Sequence, residues 1–372
     1  MNLARLVAIA LITGGCSAGC SGAPPPAPGG AGPCHEVVHT ARQAVARAES
    51  MNVPWGGPTT GPRAVPGKSI VFVAATMTNP GVAGTAKGVR EAARSVRWSF
   101  RVIDGQGTPA GIRVALGEAI ALRPSGIVLG GFDPGAVAQQ IKQANAAGIQ
   151  LVGWHATKSP GPSADPRLFT NVTSRVEDVA RISAYWIIAR SNGRAGVVIF
   201  TDSSIPFAEN KSRLIKEALA TCSGIRLLSY ENIPLPDAGS RTPQQVSSLL
   251  SRFGDRWTYS VAINDVYFAD AAPALRAAGR PGKGPPYSIG AGDGDPSAFQ
   301  RIRARQFQHA TVPEPLNAQG SQIVDEFNRA FAGSPPSGYV TPVHLTTEAN
   351  VDDATSWDPR GYREAYLRIW HG

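Results

Sequence analysis

The sequence predicts an α/β protein of two lobes, each built on a doubly wound parallel sheet. From Lys68 onward, apolar strand-like runs alternate with helix-like segments, and this alternation breaks at residues 160–167 before it starts again. Strands that are apolar throughout are typical of parallel sheets covered by helices on both faces. Because two successive sheets of this kind are hard to merge into one, the pattern favours two lobes with a cleft between the carboxyl ends of their strands.

In the first lobe, four predicted strands alternate with three predicted helices. The strands are SIVFVAAT (69–76), WSFRVID (98–104), GIVLGG (126–131) and IQLVGW (149–154). The helices are AKGVREAARSVR (86–97), GIRVALGEAIALR (111–123) and GAVAQQIKQANAAG (135–148). Each connection is long enough to cross back over the sheet, as parallel strands require.

The second lobe repeats the pattern. Its predicted strands cover residues 196–202, 225–233, 259–265, 287–293 and 309–314. Its predicted helices cover residues 175–190, 210–222, 244–253, 271–279 and 299–306. A last helix, YREAYLRIW (362–370), is expected to dock on the second lobe through Tyr366, Leu367 and Trp370.

The N-terminal region predicts an export signal, a tether and a short helix. The apolar run LVAIALIT is too short to span a bilayer as a mature helix. Small residues before a cysteine resemble a lipoprotein cleavage site, so Cys20 is the predicted lipidated residue and Cys16 the alternative. Residues 1–19 are then the signal peptide, 20–34 a Pro/Gly tether, and 35–67 an N-terminal helix with an extended arm.

Two further cysteines are left after cleavage at Cys20. An oxidising compartment favours a disulfide between Cys34 and Cys222. The sequence alone equally allows two unpaired buried thiols.

The formal net charge of +9 does not indicate a nucleic-acid partner. The 36 Lys and Arg residues are scattered, and no aromatic-rich basic motif accompanies them. We also expect no cofactor and no metal.

One motif favours a different function. HEVVH places His35 and His39 one helical turn apart, as in zinc peptidases. Arg42 replaces the glycine of the extended motif, its third histidine is missing, and no glutamate beyond this helix precedes Glu91 as a downstream ligand. The apolar stripe of this helix comprises Val37, Val38, Ala41, Ala44, Val45 and Ala48. Because both histidines lie opposite that stripe, an exposed amphipathic helix is the favoured interpretation and a metallopeptidase a remote alternative.

Five short segments point to a known family. They are Asn79-Pro80 after the first strand, GIQLVGW, AINDVYFADAAPALRAAG, IGAGDGDPSAFQRI and ATVPEPLNAQG. In this order they resemble the type 1 periplasmic substrate-binding proteins of bacterial ABC transporters, the ribose- and galactose-binding class, whose fold lactose-repressor-like proteins share. The resemblance covers about Lys68 to the C-terminus.

The resemblance implies a periplasmic binding protein type 1 fold with a three-strand hinge. The chain would cross between lobes near Thr170, Glu314 and Thr346. The expected lobes are residues 68–169 with 315–345, and residues 170–314 with 346–372.

The resemblance also implies a set of ligand-binding positions. These are Asn79, Trp154, His155, Lys211, Asn264, Asp293 and Glu314. Glu314 replaces a glutamine of the family, and His155 and Ala156 replace its Asp-Arg pair. Gly81 and Val82 stand where sugar-binding members carry aromatic residues.

The implied function is capture of a small polar ligand, by family resemblance a sugar or polyol, without catalysis. The protein would be a monomer in the periplasm or at the cell surface, held to the membrane only through its lipid, and would deliver the ligand to an ABC permease. A receptor for chemotaxis or signalling with the same fold is the alternative.

Overall fold

The computed structural model describes residues 34–50, 53–353 and 355–372, and contains two six-stranded sheets. The strands of the first sheet are β1 (Ser69–Ala74), β2 (Ser99–Asp104), β3 (Gly126–Gly130), β4 (Gln150–Trp154), β5 (Gly161–Ala164) and β6 (Arg167–Val172). Those of the second are β7 (Ala195–Thr201), β8 (Ile225–Asn232), β9 (Tyr259–Ala262), β10 (Tyr287–Gly290), β11 (Ala310–Thr311) and β12 (Thr346–Thr347). The prediction of two α/β lobes is confirmed.

Helices cover both sheets. They are α1 (His35–Ala48), α2 (Pro80–Ser95), α3 (Pro109–Ala121), α4 (Ala138–Ala146), α5 (Val176–Arg190), α6 (Pro206–Ala220), α7 (Ala238–Phe253), α8 (Val266–Ala277), α9 (Pro296–Arg303), α10 (Leu316–Phe331) and α11 (Tyr362–His371). Short 3-10 helices lie at Pro134–Val137, Leu235–Asp237 and Gly254–Arg256. Among the described residues, no helix combines the length and apolarity needed to cross a bilayer.

Each sheet is parallel apart from one edge strand. The order is β2-β1-β3-β4-β6-β5 in the first sheet and β12-β11-β10-β9-β7-β8 in the second. Only the β5–β6 and β11–β12 pairs of these sheets are antiparallel. Parallel order requires each helix to return over a sheet face, so the carboxyl ends of the central strands share one edge.

Strand β1 shows why the strands are apolar throughout. Ile70, Phe72 and Ala74 belong to one buried cluster, and Val71 and Val73 to another. Alternate side chains point to opposite faces of a sheet, and here helices cover both faces. Continuous apolar strands are therefore what this architecture requires.

Three helices begin at a capping residue followed by proline. The side chain of Asn79 accepts from the Gly81 N–H, and that of Thr108 from the Gly111 N–H. The Asp295 side chain accepts from the N–H groups of Ser297 and Ala298. The cap pairs with an otherwise unbonded N–H, and proline fits the first helical position. These dipeptides start α2, α3 and α9 just beyond strand ends.

The chain passes between the lobes in three segments that separate elements of different sheets. They lie between β6 and α5 (173–175), between β11 and α10 (312–315), and between α10 and β12 (332–345). Of the expected crossing points, Glu314 lies within the second segment and Thr346 directly after the third, whereas Thr170 lies inside β6 of the first sheet.

The N-terminal helix α1 packs on the second lobe against α5. Its buried residues are Val38, Ala41, Ala44 and Ala48. Cys34, just before α1, pairs with Cys222 at the end of α6, and their Cα atoms are 5.2 Å apart. His35 and His39 are exposed on the opposite face.

The prediction that the C-terminal helix docks on the second lobe is wrong. α11 packs on the first lobe, where Tyr366 and Trp370 join the buried cluster that contains Phe72. The Trp370 indole N–H donates to the buried Asp325 carboxylate on α10 at 3.0 Å. Of the predicted segment 346–372, only β12 therefore lies in the second sheet. Periodicity indicates an apolar face on a helix but not which lobe covers it.

The sequence-based assignment lacks one helix, α10, and three strands, namely β5, β6 and the two-residue β12. Residues 160–167, interpreted as a break, lie largely in the β5–β6 hairpin that extends the first sheet. Helix α10 carries six buried polar residues, Gln319, Ser321, Gln322, Asp325, Glu326 and Asn328. These polar residues break the hydrophobic pattern by which a buried helix is recognised.

Candidate functional site

The carboxyl edges of the two sheets enclose a cavity of about 50 Å³. Six of the seven residues that the sequence singled out line it, namely Asn79, Trp154, His155, Lys211, Asn264 and Asp293. The first three belong to one lobe and the last three to the other. Both lobes therefore contribute polar side chains to one site.

The first lobe contributes a stacked pair of rings at the end of β4. The His155 ring lies 4.0 Å from the Trp154 ring, centroid to centroid, and the two planes differ by 9°. His155 has a φ of +50°, a left-handed conformation in which histidine is more common than most residues. Trp154 is buried and its indole N–H donates to Gln319 Oε1 at 2.8 Å. The indole is thereby fixed and supports the histidine from below.

Phe207 of the second lobe continues this stack, although the sequence analysis did not identify it. Its ring lies 4.8 Å from the His155 ring at an interplanar angle of 27°. Lys211 Nζ lies 5.2 Å from the centre of the Phe207 ring, within cation–π range. Phe207 occupies the first turn of α6, directly beyond β7, and this position at a strand's carboxyl end was the available signal.

The polar groups of the second lobe are held by hydrogen bonds within that lobe. Asn264 Nδ2 donates to Asp293 Oδ2 at 2.6 Å. The Lys211 ammonium donates to the carbonyl oxygens of Ala291 at 2.5 Å and Ile263 at 3.4 Å. An ammonium has three donors, so Lys211 acts mainly as a fixed positive charge beside the cavity.

Burial and nearby charges have opposite effects on the pKa values of Lys211 and Asp293. Burial lowers the pKa of Lys211, and the negative charges of Asp293, Glu314 and Asp265 oppose that change. Burial raises the pKa of Asp293, and the positive charges of His155 and Lys211 oppose it. The site therefore holds its charges at a desolvation cost that further hydrogen bonds would reduce.

Asp293 reaches across the cleft to the first lobe. A Cβ atom placed on Gly81, in the first turn of α2, would lie only 2.2 Å from Asp293 Oδ2. The glycine is needed for this close approach, because any larger residue would displace the carboxylate. A carboxylate is also favourable at the positive end of the α2 dipole.

The seventh predicted residue, Glu314, lies behind the cavity rather than on its wall. Its Oε1 atom is 3.5 Å from His155 Nε2. Its Oε2 atom accepts hydrogen bonds from Ser174 Oγ at 2.7 Å and Gln319 Nε2 at 2.6 Å. Both Ser174 and Gln319 contact Thr341 Oγ1, at 3.0 and 3.1 Å. Glu314 thus connects His155 to all three segments that join the lobes.

Glu314 is ionised over a wide pH range. Burial by itself would raise its pKa, but the hydrogen bond and charge of His155, with the Ser174 hydroxyl and Lys211, hold the pKa at about 2. The charged Glu314 carboxylate lies beside the Nε2 atom of His155 and orients that ring. The His155 ring itself lines the cavity.

Asp265 is a further buried carboxylate that sequence reasoning did not single out. It accepts hydrogen bonds from the Gly294 N–H at 2.8 Å, Gln308 Nε2 at 2.5 Å and Thr311 Oγ1 at 3.1 Å. Burial and the nearby Asp295 raise its pKa to about 7. These bonds tie the turn that carries Asp293 to the β11 strand.

The HEVVH motif lies outside this site. His35 and His39 are exposed on α1, and the described part of the chain holds no cluster of three His, Cys, Asp or Glu side chains suited to a metal. Catalytic zinc requires three protein ligands. His35 and His39 lie on the solvent-exposed face of the amphipathic helix α1.

Comparisons with known proteins identify the family and the fold. A sequence model of the periplasmic binding protein domain family matches residues 70–334. A search of curated proteins found no match.

Solved structures of similar fold cover most of the chain. A glucose-galactose binding protein from Geobacillus stearothermophilus is 17% identical, with a TM-score of 0.67 over 77% of this chain and 99% of its own. A sugar ABC transporter protein from Yersinia enterocolitica is 16% identical, with a TM-score of 0.69 over 83% of this chain and 98% of its own. An ABC transporter solute-binding protein from Agrobacterium vitis, solved with bound allitol, is 18% identical, with a TM-score of 0.66 over 76% and 96%. The chain belongs to the periplasmic binding protein domain family.

Proposed function

We propose that this protein is an extracytoplasmic solute-binding lipoprotein that captures a sugar or polyol between its lobes and delivers it to an ABC permease. The observation that carries the proposal is a cavity to which both lobes contribute polar side chains. The sugars and polyols named for proteins of similar fold support the same ligand class.

The stacked rings suggest where a sugar ring enters. His155 belongs to the first lobe and Phe207 to the second, so hinge opening separates the two rings. A sugar ring between them would pack its C–H faces on both. The cavity of about 50 Å³ must widen for this, since sites for small molecules usually measure about 300–1,000 Å³.

Hydrogen bonds to the ligand would come from acceptors more than donors. Asp293 uses one oxygen to accept from Asn264, whereas an ionised carboxylate has about four acceptor positions. Hydroxyl groups of a sugar or polyol are suitable donors for the remaining positions. The site binds and orients, and we assign no catalytic role to any residue.

The anchor belongs to the same proposal. Cys20, with Cys16 as the alternative, lies outside the described residues, as do the signal peptide and most of the tether. Lipidation at Cys20 would hold the folded lobes at the membrane. Replacement Cys20→Ser should release the protein to the soluble fraction, and a Cys16→Ser protein should stay bound.

A thermal-shift screen of residues 33–372 against hexoses, pentoses and polyols tests the ligand class, because a ligand that binds only the folded state raises its melting temperature.

Two variants test the site. Asp293→Asn and Asn264→Ala should each weaken the binding of a responding sugar by about 10- to 100-fold, the usual worth of a hydrogen bond to a charged group. Asp255→Asn is the matched control, because that carboxylate is 93% exposed. The absence of any sugar or polyol response would refute the proposed ligand class, and unchanged affinity in both variants would refute the site.

A further inference from the structure

We propose that the ligand carries an apolar substituent, and that a second cavity beside the polar one holds it. This inference rests on the proposed function and narrows it from sugars in general to glycosides or polyol ethers with an aryl or compact alkyl group. The second cavity is called the apolar subsite below.

The apolar subsite adjoins the polar cavity and shares part of its wall. It has a volume of about 220 Å³. Asn79, Gly131, Ile205 and Leu235 line both cavities. A ligand held by Asp293 and Asn264 can therefore extend past Asn79 without leaving the cleft.

Both lobes supply apolar walls to the subsite. Ile112, Phe132 and Val137 come from the first lobe, and Leu235 and Pro236 from the second. Because these walls belong to different lobes, closure of the hinge would enclose an apolar group as it encloses the polar one. Burial of apolar surface then favours the closed form.

The acidic side chains of the subsite already have partners. Asp202 accepts from the Ser204 N–H at 2.9 Å and the Leu235 N–H at 2.9 Å. Asp133 accepts from the Gly135 N–H at 2.8 Å. These bonds hold the two carboxylates in place, and their negative charge disfavours an anionic substituent. The remaining surface suits an uncharged apolar group.

Asn79 marks the boundary between the two cavities. Its Oδ1 atom accepts from the Gly81 N–H at 2.9 Å, which leaves its amide nitrogen as the donor at the junction of both cavities. A glycosidic or ether oxygen lies between the polar and apolar parts of a ligand, and it can accept such a bond.

The volume of the apolar subsite limits the size of the substituent that it can hold. An apolar cavity of about 150 Å³ accepts benzene in a well-studied case. A subsite of about 220 Å³ is therefore large enough for a phenyl ring or a branched alkyl group of similar size. It is too small for a second sugar together with its hydration.

The test compares methyl and phenyl glycosides of glucose, galactose and arabinose by calorimetry on the wild-type protein. The phenyl glycoside of the best-bound sugar should bind at least about tenfold more tightly than its methyl glycoside. Ala136→Trp places an indole in the subsite from an exposed position on its rim and should abolish this difference while methyl glycoside binding stays the same. Ala138→Trp, also exposed but outside the lining, is the matched control and should keep the full difference.

The outcomes separate this inference from the proposed function. If sugars and methyl glycosides bind but phenyl glycosides bind no better, the subsite is refuted and sugar capture stands. An unchanged preference in Ala136→Trp would also refute the location. If no sugar, methyl glycoside or phenyl glycoside binds, both proposals fail.

Discussion

Replacement of Glu314 by glutamine should destabilise the fold in a way that depends on pH. The Glu314 carboxylate is 2% exposed and accepts two short hydrogen bonds, from Ser174 and Gln319. Glutamine keeps the size of the side chain but removes its charge, and its amide group can present a donor to neighbours that are themselves donors. Each charge-assisted bond is worth about 1.5–3 kcal/mol.

The pKa gives an independent estimate of the loss. The Glu314 pKa falls from an ordinary 4.5 to about 2 in the folded protein. One pKa unit corresponds to about 1.4 kcal/mol, so the ionised carboxylate stabilises the folded state by roughly 3 kcal/mol. Because the folded pKa is the lower one, this stability is present above pH 4.5 and is lost as the pH falls towards 2. Glu314→Gln should therefore lose about 3 kcal/mol near neutral pH and progressively less below pH 4.5.

Urea unfolding of wild type and variant at a series of pH values between 3 and 7 measures this difference. Asp325→Asn is the matched control, since Asp325 is also buried and accepts two hydrogen bonds, from Arg329 and Trp370, within one lobe. Burial raises the pKa of Asp325, although Arg329 and Trp370 oppose it, so its difference from wild type should change with pH in the opposite direction. A loss below about 0.5 kcal/mol in Glu314→Gln, or a loss that does not shrink at low pH, would refute the reasoning.

Two further variants test closure and the N-terminal attachment. Gly81→Ala should weaken ligand binding at least about tenfold without destabilising the fold, because the added methyl group would lie 2.2 Å from Asp293 Oδ2 and hold the lobes apart. Gly117→Ala, where a Cβ meets nothing within 4 Å, is its control in calorimetry, and equal affinity in the two variants would contradict a role in closure. Cys222→Ser should lower the free energy of unfolding by about 2–4 kcal/mol, because Cys34 and Cys222 are 188 residues apart in the chain. Denaturant unfolding should show the same loss for Cys34→Ser and no further loss in the double variant, whereas additive losses would contradict the pairing.

The sequence predicted the lobes and the cleft between them through features that are local in the chain, and the residues of the polar cavity through family resemblance. Parallel strands buried on both faces must be apolar throughout, so β1, β3 and β4 were visible as continuous apolar runs. Residues that follow such strands meet at one edge of a sheet. Asn79, His155, Asn264 and Asp293 come together for this reason, although their role in binding remains a prediction.

What the sequence did not predict depends on contacts between distant segments. Helix α10 buries polar residues because they bond to other parts of the fold, as Gln319 does to Trp154 and Glu314. The lobe on which α11 docks depends on Asp325, which is 45 residues away from its partner Trp370. Such pairings leave no periodic pattern in the sequence. Sequence patterns alone therefore indicate that polar residues on a helix are exposed, even where they are buried as in α10.

Glu314 connects the cavity residue His155 to the segments about which the two lobes would close. Glu314 lies beside the edge of the His155 ring and accepts a hydrogen bond from Ser174 in one of the other segments that join the lobes. It is linked to Thr341 in the third segment only through Ser174 and Gln319, whereas Asp293 crosses the cleft to α2. Burial of Asp293 is costly, and among the described residues Asn264 is the one side chain that donates to its Oδ2 atom. A ligand with hydroxyl donors would offset that cost, and a solute without them would leave it in place. Closure should therefore favour polyhydroxylated ligands even before shape is considered, and the apolar subsite would then select among them.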